Sequence, residues 1–384
     1  MNARVVIAIL AALVAALGTA RPAAAQGCIL LRQTSPLFGT TPIDSEVGTW
    51  TLTFTGRGST ADRHYRGTHH EAHRQLEQTY VVNKQNAMTA TVGYQLTPRV
   101  SLNASIPFVE ASWGIPSPRT GGPAARANGN TRGLGDITTL ARVAVFNPAT
   151  STRTWNLLVG GGVKLPTGND AATDVYPDRD GLNNVPRYVD ISVHPGDGGW
   201  GLIMDLQGYK ALGSRFTAFG SGTWLANPRD TNSTPTRGIA VGDPNPPRFN
   251  SVSDQFVFRA GGQVALTSHI SASLAWRAEG VPRYDLIGAS NGRRRPGVEM
   301  YWEPGVSVTV GGHAFSFNLP VGYYYNRFPD PYTGNPGDST FPEYVSIATY
   351  SFRFGGKTMQ HAMPVTDQPP ATPMPSPNPP RRDE

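Results

Sequence analysis

Cysteine is almost missing from this 384-residue chain: Cys28 stands alone, so no internal disulfide can form. Lysine is nearly as scarce, limited to Lys84, Lys164, Lys210 and Lys357. Charged residues make up 16% and apolar ones only 39%, which leaves little room for a large conventional core. Repeated apolar runs of about 20 residues, the mark of a helical membrane protein, do not occur. Helical periodicity is close to absent, and 43 glycines with 34 prolines argue further against a helical bundle. Those glycines follow no three-residue period, which excludes collagen. A formal charge of +6 rests on scattered arginines, with no dense stripe or basic helix, so nucleic acid is not an expected partner. A loop-rich β protein or a disordered chain remains.

The ends read as processing and linker segments. Residues 1–25 have the form of a secretory signal peptide, with Arg4 as the positive region, Val5 to Leu17 as a short apolar stretch and Ala23-Ala24-Ala25 as the cleavage site. Cys28 raises a lipoprotein reading, but Arg21 and Pro22 interrupt the run-in that a lipidation signal needs. Residues 26–45 are expected to hang in the periplasm or to fold into the lumen as a plug; the sequence does not choose. Residues 355–384, rich in proline from Pro364 onward, read as an extended disordered tail open to periplasmic contact.

Between these ends the dominant signal is alternation with period two. Met88, Ala90, Val92, Tyr94 and Leu96 share one face, and Thr89, Thr91, Gly93 and Gln95 the other. Thr97-Pro98-Arg99 turns the chain, and Val100, Leu102, Ala104, Ile106 and Phe108 repeat the apolar face. Comparable runs begin near residue 46 and end at Phe354, about twelve in number. Their connections alternate between tight turns, such as 97–99, 212–213 and 311–313, and long loops rich in Gly, Pro, Asn and Asp, such as 57–86, 111–132 and 166–198. Short turns at one rim and long loops at the other are the signature of an outer-membrane barrel. The expected fold is therefore all-β: a transmembrane up-and-down antiparallel β-barrel over 46–354, closed because an unpaired backbone group in lipid costs several kcal/mol. Trp113, Trp200, Trp224 and Trp276 at the long-loop rim, with Trp155 and Phe315 at the short-turn rim, are expected as interface girdles. A soluble β-sandwich would explain the alternation but not the loop asymmetry.

Gly133-Leu134-Gly135-Asp136-Ile137, followed by Gly162-Val163-Lys164-Leu165-Pro166-Thr167-Gly168, resembles the outer-membrane proteins associated with the meta-pathway of phenol degradation. Gly199-Trp200-Gly201 and the closing Tyr350-Ser351-Phe352-Arg353-Phe354 fit the same pattern. The resemblance spans about 85–354. It implies an outer-membrane barrel transporter and the passage of small aromatic or hydrophobic compounds, and it supplies no list of substrate ligands. The long first loop and the C-terminal extension depart from that family.

Alternation places Arg142, Lys164, Arg259, Arg277 and Arg353 on inward faces, with Asp136, Asp205, Glu279, Glu299 and Glu303. Equal numbers of each sign suggest paired charges across a narrow lumen, or a polar constriction that filters solutes. Chemistry of other kinds finds weak footing. His64, His69, His70, Glu71 and His73 crowd the first loop, but Arg74 stands where a zinc-protease motif needs its second histidine. Asp174, Asp178 and Asp180-Gly181 lack the terminal Glu of a calcium loop. Gly355-Gly356-Lys357-Thr358 lacks the first glycine of a phosphate loop. Ser192 and His194 lie in a Gly/Pro loop with no G-x-S-x-G. No enzyme, cofactor or metal is expected. The expected function is passive passage of small solutes through an outer-membrane barrel, with lipid and an unidentified solute as partners. The alternative is a non-transporting barrel that serves surface binding or envelope anchoring.

Overall fold

The computed structural model describes residues 46–116, 126–177, 184–334 and 337–356. The expected signal-peptide and plug segments and the tail beyond Gly356, together with Cys28, Asp178, Asp180 and Lys357, lie outside them.

Fourteen segments build one wall: β1 (Trp50–Arg66), β2 (Val82–Gln95), β3 (Val100–Pro116), β4 (Arg126–Leu134), β5 (Thr138–Ala144), β6 (Trp155–Lys164), β7 (Gly201–Ala211), β8 (Phe216–Ala226), β9 (Gln255–Ala265), β10 (Ile270–Val281), β11 (Gly297–Val310), β12 (His313–Asn318), β13 (Val321–Arg327) and β14 (Ser339–Phe354). Each pairs antiparallel with its neighbours, and β14 returns to β1 from Trp50↔Phe354 to Tyr65↔Ser339. Two positions around the wall are each shared by two segments, so the wall is a closed 12-strand antiparallel barrel. β4 and β5 divide one position at Gly135-Asp136-Ile137, both pairing with β3. β12 and β13 divide another at Leu319-Pro320, where proline has no N–H to give to the ladder.

Alternation decides which face is which, and the result inverts a soluble protein. Met88, Leu206 and Leu274 are 59%, 48% and 55% exposed on the outer face, whereas Thr53, Arg259 and Glu279 are 4%, 5% and 0% exposed inside. Burying one large aliphatic side chain is worth about 1.5–3 kcal/mol, so a continuous belt of them facing water would be a heavy penalty. Facing lipid it carries none. No helix among the described residues is long and apolar enough to cross a membrane; this architecture crosses with strands. On the outer face aromatic rings cover glycines of the next strand, Phe258 over Gly222 and Phe216 over Gly262, which fills gaps that a bare glycine leaves.

Three expectations need correction. β1 runs to Arg66 and β3 to Pro116, so the first two long loops are shorter than expected and the wall there rises higher. Two of the twelve or so expected runs, those that alternate over 133–146 and 314–326, are each broken into two strands. Trp113 is no girdle residue: it is buried in the interior against Val109, Ala111, Tyr176, Val189 and Val193. Its run beyond Phe108 keeps period two, but there the inner face is the apolar one.

Candidate functional site

The candidate site is the lumen, and three groups of buried charge organise it. The first crosses it. Register sets Arg259 of β9 opposite Arg277 of β10, and Glu279 of β10 opposite Glu299 of β11. Like charges directly opposite destabilise a sheet, so each needs a diagonal partner. Arg277 lies 2.5 Å from Glu279 and 3.4 Å from Glu303, and Arg259 lies 2.6 Å from Glu303. Tyr301 donates its hydroxyl to Glu299. Arg57 of β1 then reaches Glu279 with both terminal nitrogens. In the wall β1 and β10 are separated by β14, the β12/β13 position and β11, so this ion pair spans the interior.

The second group lies along β5, β6 and β7. Arg142 Nε is 2.6 Å from Asp205, and Thr223 donates to the other oxygen of Asp205 at 2.8 Å. Gly160 stands between them in the ladder. A Cβ there would sit 3.1 Å from both the Arg142 and the Asp205 side chains, so glycine is what lets the pair meet across β6.

The third group ties the long-loop rim together, and it unites the two sequence motifs. Asp136, in the break between β4 and β5, accepts from the backbone N–H of Gly168 at 2.9 Å and of Asp197 at 3.1 Å. Lys164 at the end of β6 is 3.8 Å from Asp136 and directly paired with Asp197. Gly168 and Gly196 touch backbone to backbone, where a Cβ on Gly196 would collide with Gly168. The glycines of the motifs therefore serve close approach of two loop segments around one buried lysine.

Held at that point, the described parts of the following loop, 165–177 and 184–200, fold into the barrel mouth. A single 3-10 turn, Ile191–Val193, packs on β2 and β3. Asn83 donates to the Ser192 hydroxyl at 2.8 Å, and Thr131 donates to the Val193 carbonyl. Val189 and Val193 join Val109, Ala111 and Trp113 in an apolar cluster. Asp190 accepts from the Ser192 N–H at 3.1 Å and pairs with Arg295 at the rim. Burial alone would raise the Asp190 pKa, but Arg295, Arg237 and Arg293 outweigh it and hold this carboxylate well below its usual range. Across the mouth, Tyr65, Tyr325 and Phe341 cluster with ring centroids 4.9–5.7 Å apart, two pairs tilted and Tyr65–Phe341 edge-on. Toward the short turns the inner face becomes hydroxyl and amide: Thr53 meets Ser351 and Thr91 meets Ser105, each at 2.8 Å. A void of about 60 Å³ lies there between Thr51, Asn103, Arg142 and Gln207.

Of the sequence candidates, Arg259, Arg277, Glu279, Glu299 and Glu303 gather in the cross-lumen group, Arg142 with Asp205 in the second, and Asp136 with Lys164 in the third. Arg353 is half-buried at the short-turn end and belongs to none of the three. Arg57, Tyr301 and Asp197 fall outside that candidate set. Arg57 lies in a stretch expected as loop, although the alternation of Thr51, Thr53 and Thr55 continues through it. Asp197 gives no local signal, because its role exists only once its loop folds inward.

The remaining motifs resolve as structure. His64 accepts from the Val81 N–H at 2.8 Å and faces Asp338 at 3.2 Å, which pins the first loop. Ser192 donates to Asp190, and His194 faces the Asp170 and Val189 carbonyls, so the two do not form a nucleophile–base pair. Asp174 accepts from Asn130 along the free edge of β4. No group of three metal-ligating side chains occurs among the described residues.

No family model matches the chain, and no curated protein matches it. Among solved structures it is similar to an outer-membrane channel from Pseudomonas putida F1, with a TM-score of 0.55 and 14% identity over 84% of this chain and 100% of that one. Weaker likenesses include the translocator domain of the autotransporter NalP from Neisseria meningitidis, with a TM-score of 0.40 and 12% identity over 81% and 90% of the two chains. Another is the Pseudomonas putida toluene transporter TodX, with a TM-score of 0.39 and 11% identity over 79% and 89%. The first likeness shows the fold, an outer-membrane type of barrel; the other two scores are too low to carry an argument.

Proposed function

We propose that this barrel is a gated outer-membrane channel for passive passage of small solutes, with aromatic or hydrophobic compounds as the favoured class. The observation that carries the reading is the apolar and aromatic inner surface at the long-loop mouth, around Trp113, Tyr176, Tyr65, Tyr325 and Phe341. Around Trp113 these side chains hold the folded-in loop through Val189 and Val193, whereas the cluster of Tyr65, Tyr325 and Phe341 contains no residue of that loop. The likeness to a Pseudomonas putida outer-membrane channel supports the channel, and the resemblance to the phenol meta-pathway proteins supports the solute class. In this reading a solute leaves water for the apolar mouth, meets the Arg57–Glu279 tie and passes into the hydroxyl-lined half, where weak binding permits release.

Planar-bilayer conductance and liposome uptake of a phenolic solute by the full chain test it. Arg57→Ala cuts the tie across the lumen and leaves Glu279 paired with Arg277, so conductance is expected to rise several-fold and to turn cation-selective. No current and no uptake in either protein would overturn the channel. A lumen crossed by buried ion pairs is the observation that favours the second reading, a non-transporting barrel for surface binding or anchoring.

A further inference from the structure

On one flank the outer face changes character along a sharp line. Met88 of β2, Phe108 of β3 and Leu134 of β4 form one cross-strand row that closes the apolar belt. The next row toward the long loops is Asn86, Glu110 and Arg132, and the one above it Lys84, Ser112 and Asn130. All six are polar, they point outward by parity with Met88, and they line a concavity of about 380 Å³. The rise of β1 to β4 beyond the belt is what creates this surface; on the opposite flank β6 already ends at Lys164 and β7 begins at Gly201. Lys84, Glu110 and Arg132 make no ion pair with any described residue, although Glu110 and Arg132 are ladder partners. Arg132 instead lies 5.4 Å above the Phe108 ring, at the top of the belt.

We infer that this face binds the phosphorylated headgroup of an outer-leaflet glycolipid. Long loops mark the cell exterior in barrels of this kind, so the rows above the belt stand at headgroup depth of the outer leaflet. Lys84 and Arg132 are two strands and one row apart, about 12 Å, wide enough to hold separate phosphates, and both residue types are established phosphate binders. Asn86, Ser112 and Asn130 offer donors and acceptors to sugar hydroxyls, and Glu110 takes a bridging divalent cation or a sugar hydroxyl. The apolar row directly below receives the acyl chains. This rests on the outer-membrane reading but not on transport.

Native mass spectrometry of the full chain, extracted from the outer membrane in mild detergent, tests it by counting glycolipid adducts. The Lys84→Ala/Arg132→Ala double variant should lose adducts roughly thirtyfold, the weight of two cations at an anionic surface. Lys210→Ala, at the short-turn rim, should keep them. Equal adducts in the double variant and the native protein, or equal loss in Lys210→Ala, would overturn the proposal. So would a dimer peak that the double variant abolishes, since the face would then join two copies. Fractionation and heat-modifiable gel mobility read membrane placement and folding separately, so a misplaced or unfolded chain is distinguished from a barrel that ignores glycolipid.

Discussion

Toward the long-loop rim, β3 turns Val109, Ala111 and Trp113 inward to meet Val189 and Val193 of the folded-in loop. Toward the short turns, the same strand and its neighbours turn Ser105, Thr91 and Thr53 inward, where Thr91 bonds to Ser105 and Thr53 to Ser351 across the ladder. Both stretches alternate with period two, so backbone conformation does not distinguish them. The difference is what each half has to touch. The mouth contains a length of chain with apolar side chains, so the wall there is apolar inside, as in a soluble core. The short-turn half faces voids and polar neighbours, so its hydroxyls satisfy each other. Charge divides in the same way: Lys164 clamps loop to wall, whereas Arg57 ties wall to wall.

The contrast is broken most severely at Lys164, which is 2% exposed and sits against two buried carboxylates. Lys164→Met removes the ammonium that Asp136 and Asp197 share, a loss of about 3–5 kcal/mol for a buried pair deprived of one partner. The loop is expected to leave the mouth, with rapid protease cleavage inside 166–200, while strand pairing and heat-modifiable mobility persist. Unchanged protease resistance would mean that apolar packing alone holds the loop, and the clamp would lose its role.

A weaker blow comes from acid. The folded Asp190 carboxylate titrates below its unfolded value, which is about 3.9 for Asp. Its contribution is therefore fully present above about pH 4 and is lost as pH falls through the depressed folded value. Loop protection against an acid-stable protease should hold steady from neutrality down to about pH 5 and decline only below about pH 4. Asp190→Asn should weaken protection at neutral pH and flatten the acid decline. A decline already complete at pH 6 in the native protein would point to another titrating group, and Asp190 would not be the staple.

These two sites also mark how far the sequence could be read. The barrel was legible because each wall residue answers to a local rule: lipid or lumen, odd or even. Arg259, Arg277 and Glu303 follow from that rule alone, down to the face they occupy. Their partners do not, because pairing depends on register and on closure of the wall, and Arg57 meets Glu279 only when β14 has returned to β1. Trp113 misleads for the complementary reason. An aromatic near a loop rim fits a membrane girdle or an inward core equally well, and the choice depends on a loop entering the mouth from more than 70 residues downstream, at Val189 and Val193. The Gly135-Asp136 and Lys164 motifs were visible as motifs, but their shared role needed Gly168 and Gly196 in contact.

The gentlest change tests the other side of the contrast. Thr53 shares a hydrogen bond of 2.8 Å with Ser351 and is 4% exposed, near the short-turn end. Thr53→Val keeps the shape and removes the hydroxyl. In a half reached by water, a solvent molecule replaces the lost partner, and the cost stays near the bottom of the usual range of about 0.5–1.5 kcal/mol for one hydrogen bond. In a dry interior Ser351 would remain unsatisfied, at a penalty of about 1–3 kcal/mol. Urea unfolding of the barrel in lipid vesicles, compared with Thr91→Val at the equivalent Thr91–Ser105 pair, measures which holds. Small, equal losses at both sites sustain a hydrated short-turn half, through which a released solute can leave. A loss approaching that of Lys164→Met would make the short-turn half as tightly packed as the mouth, and the interior would have no exit side.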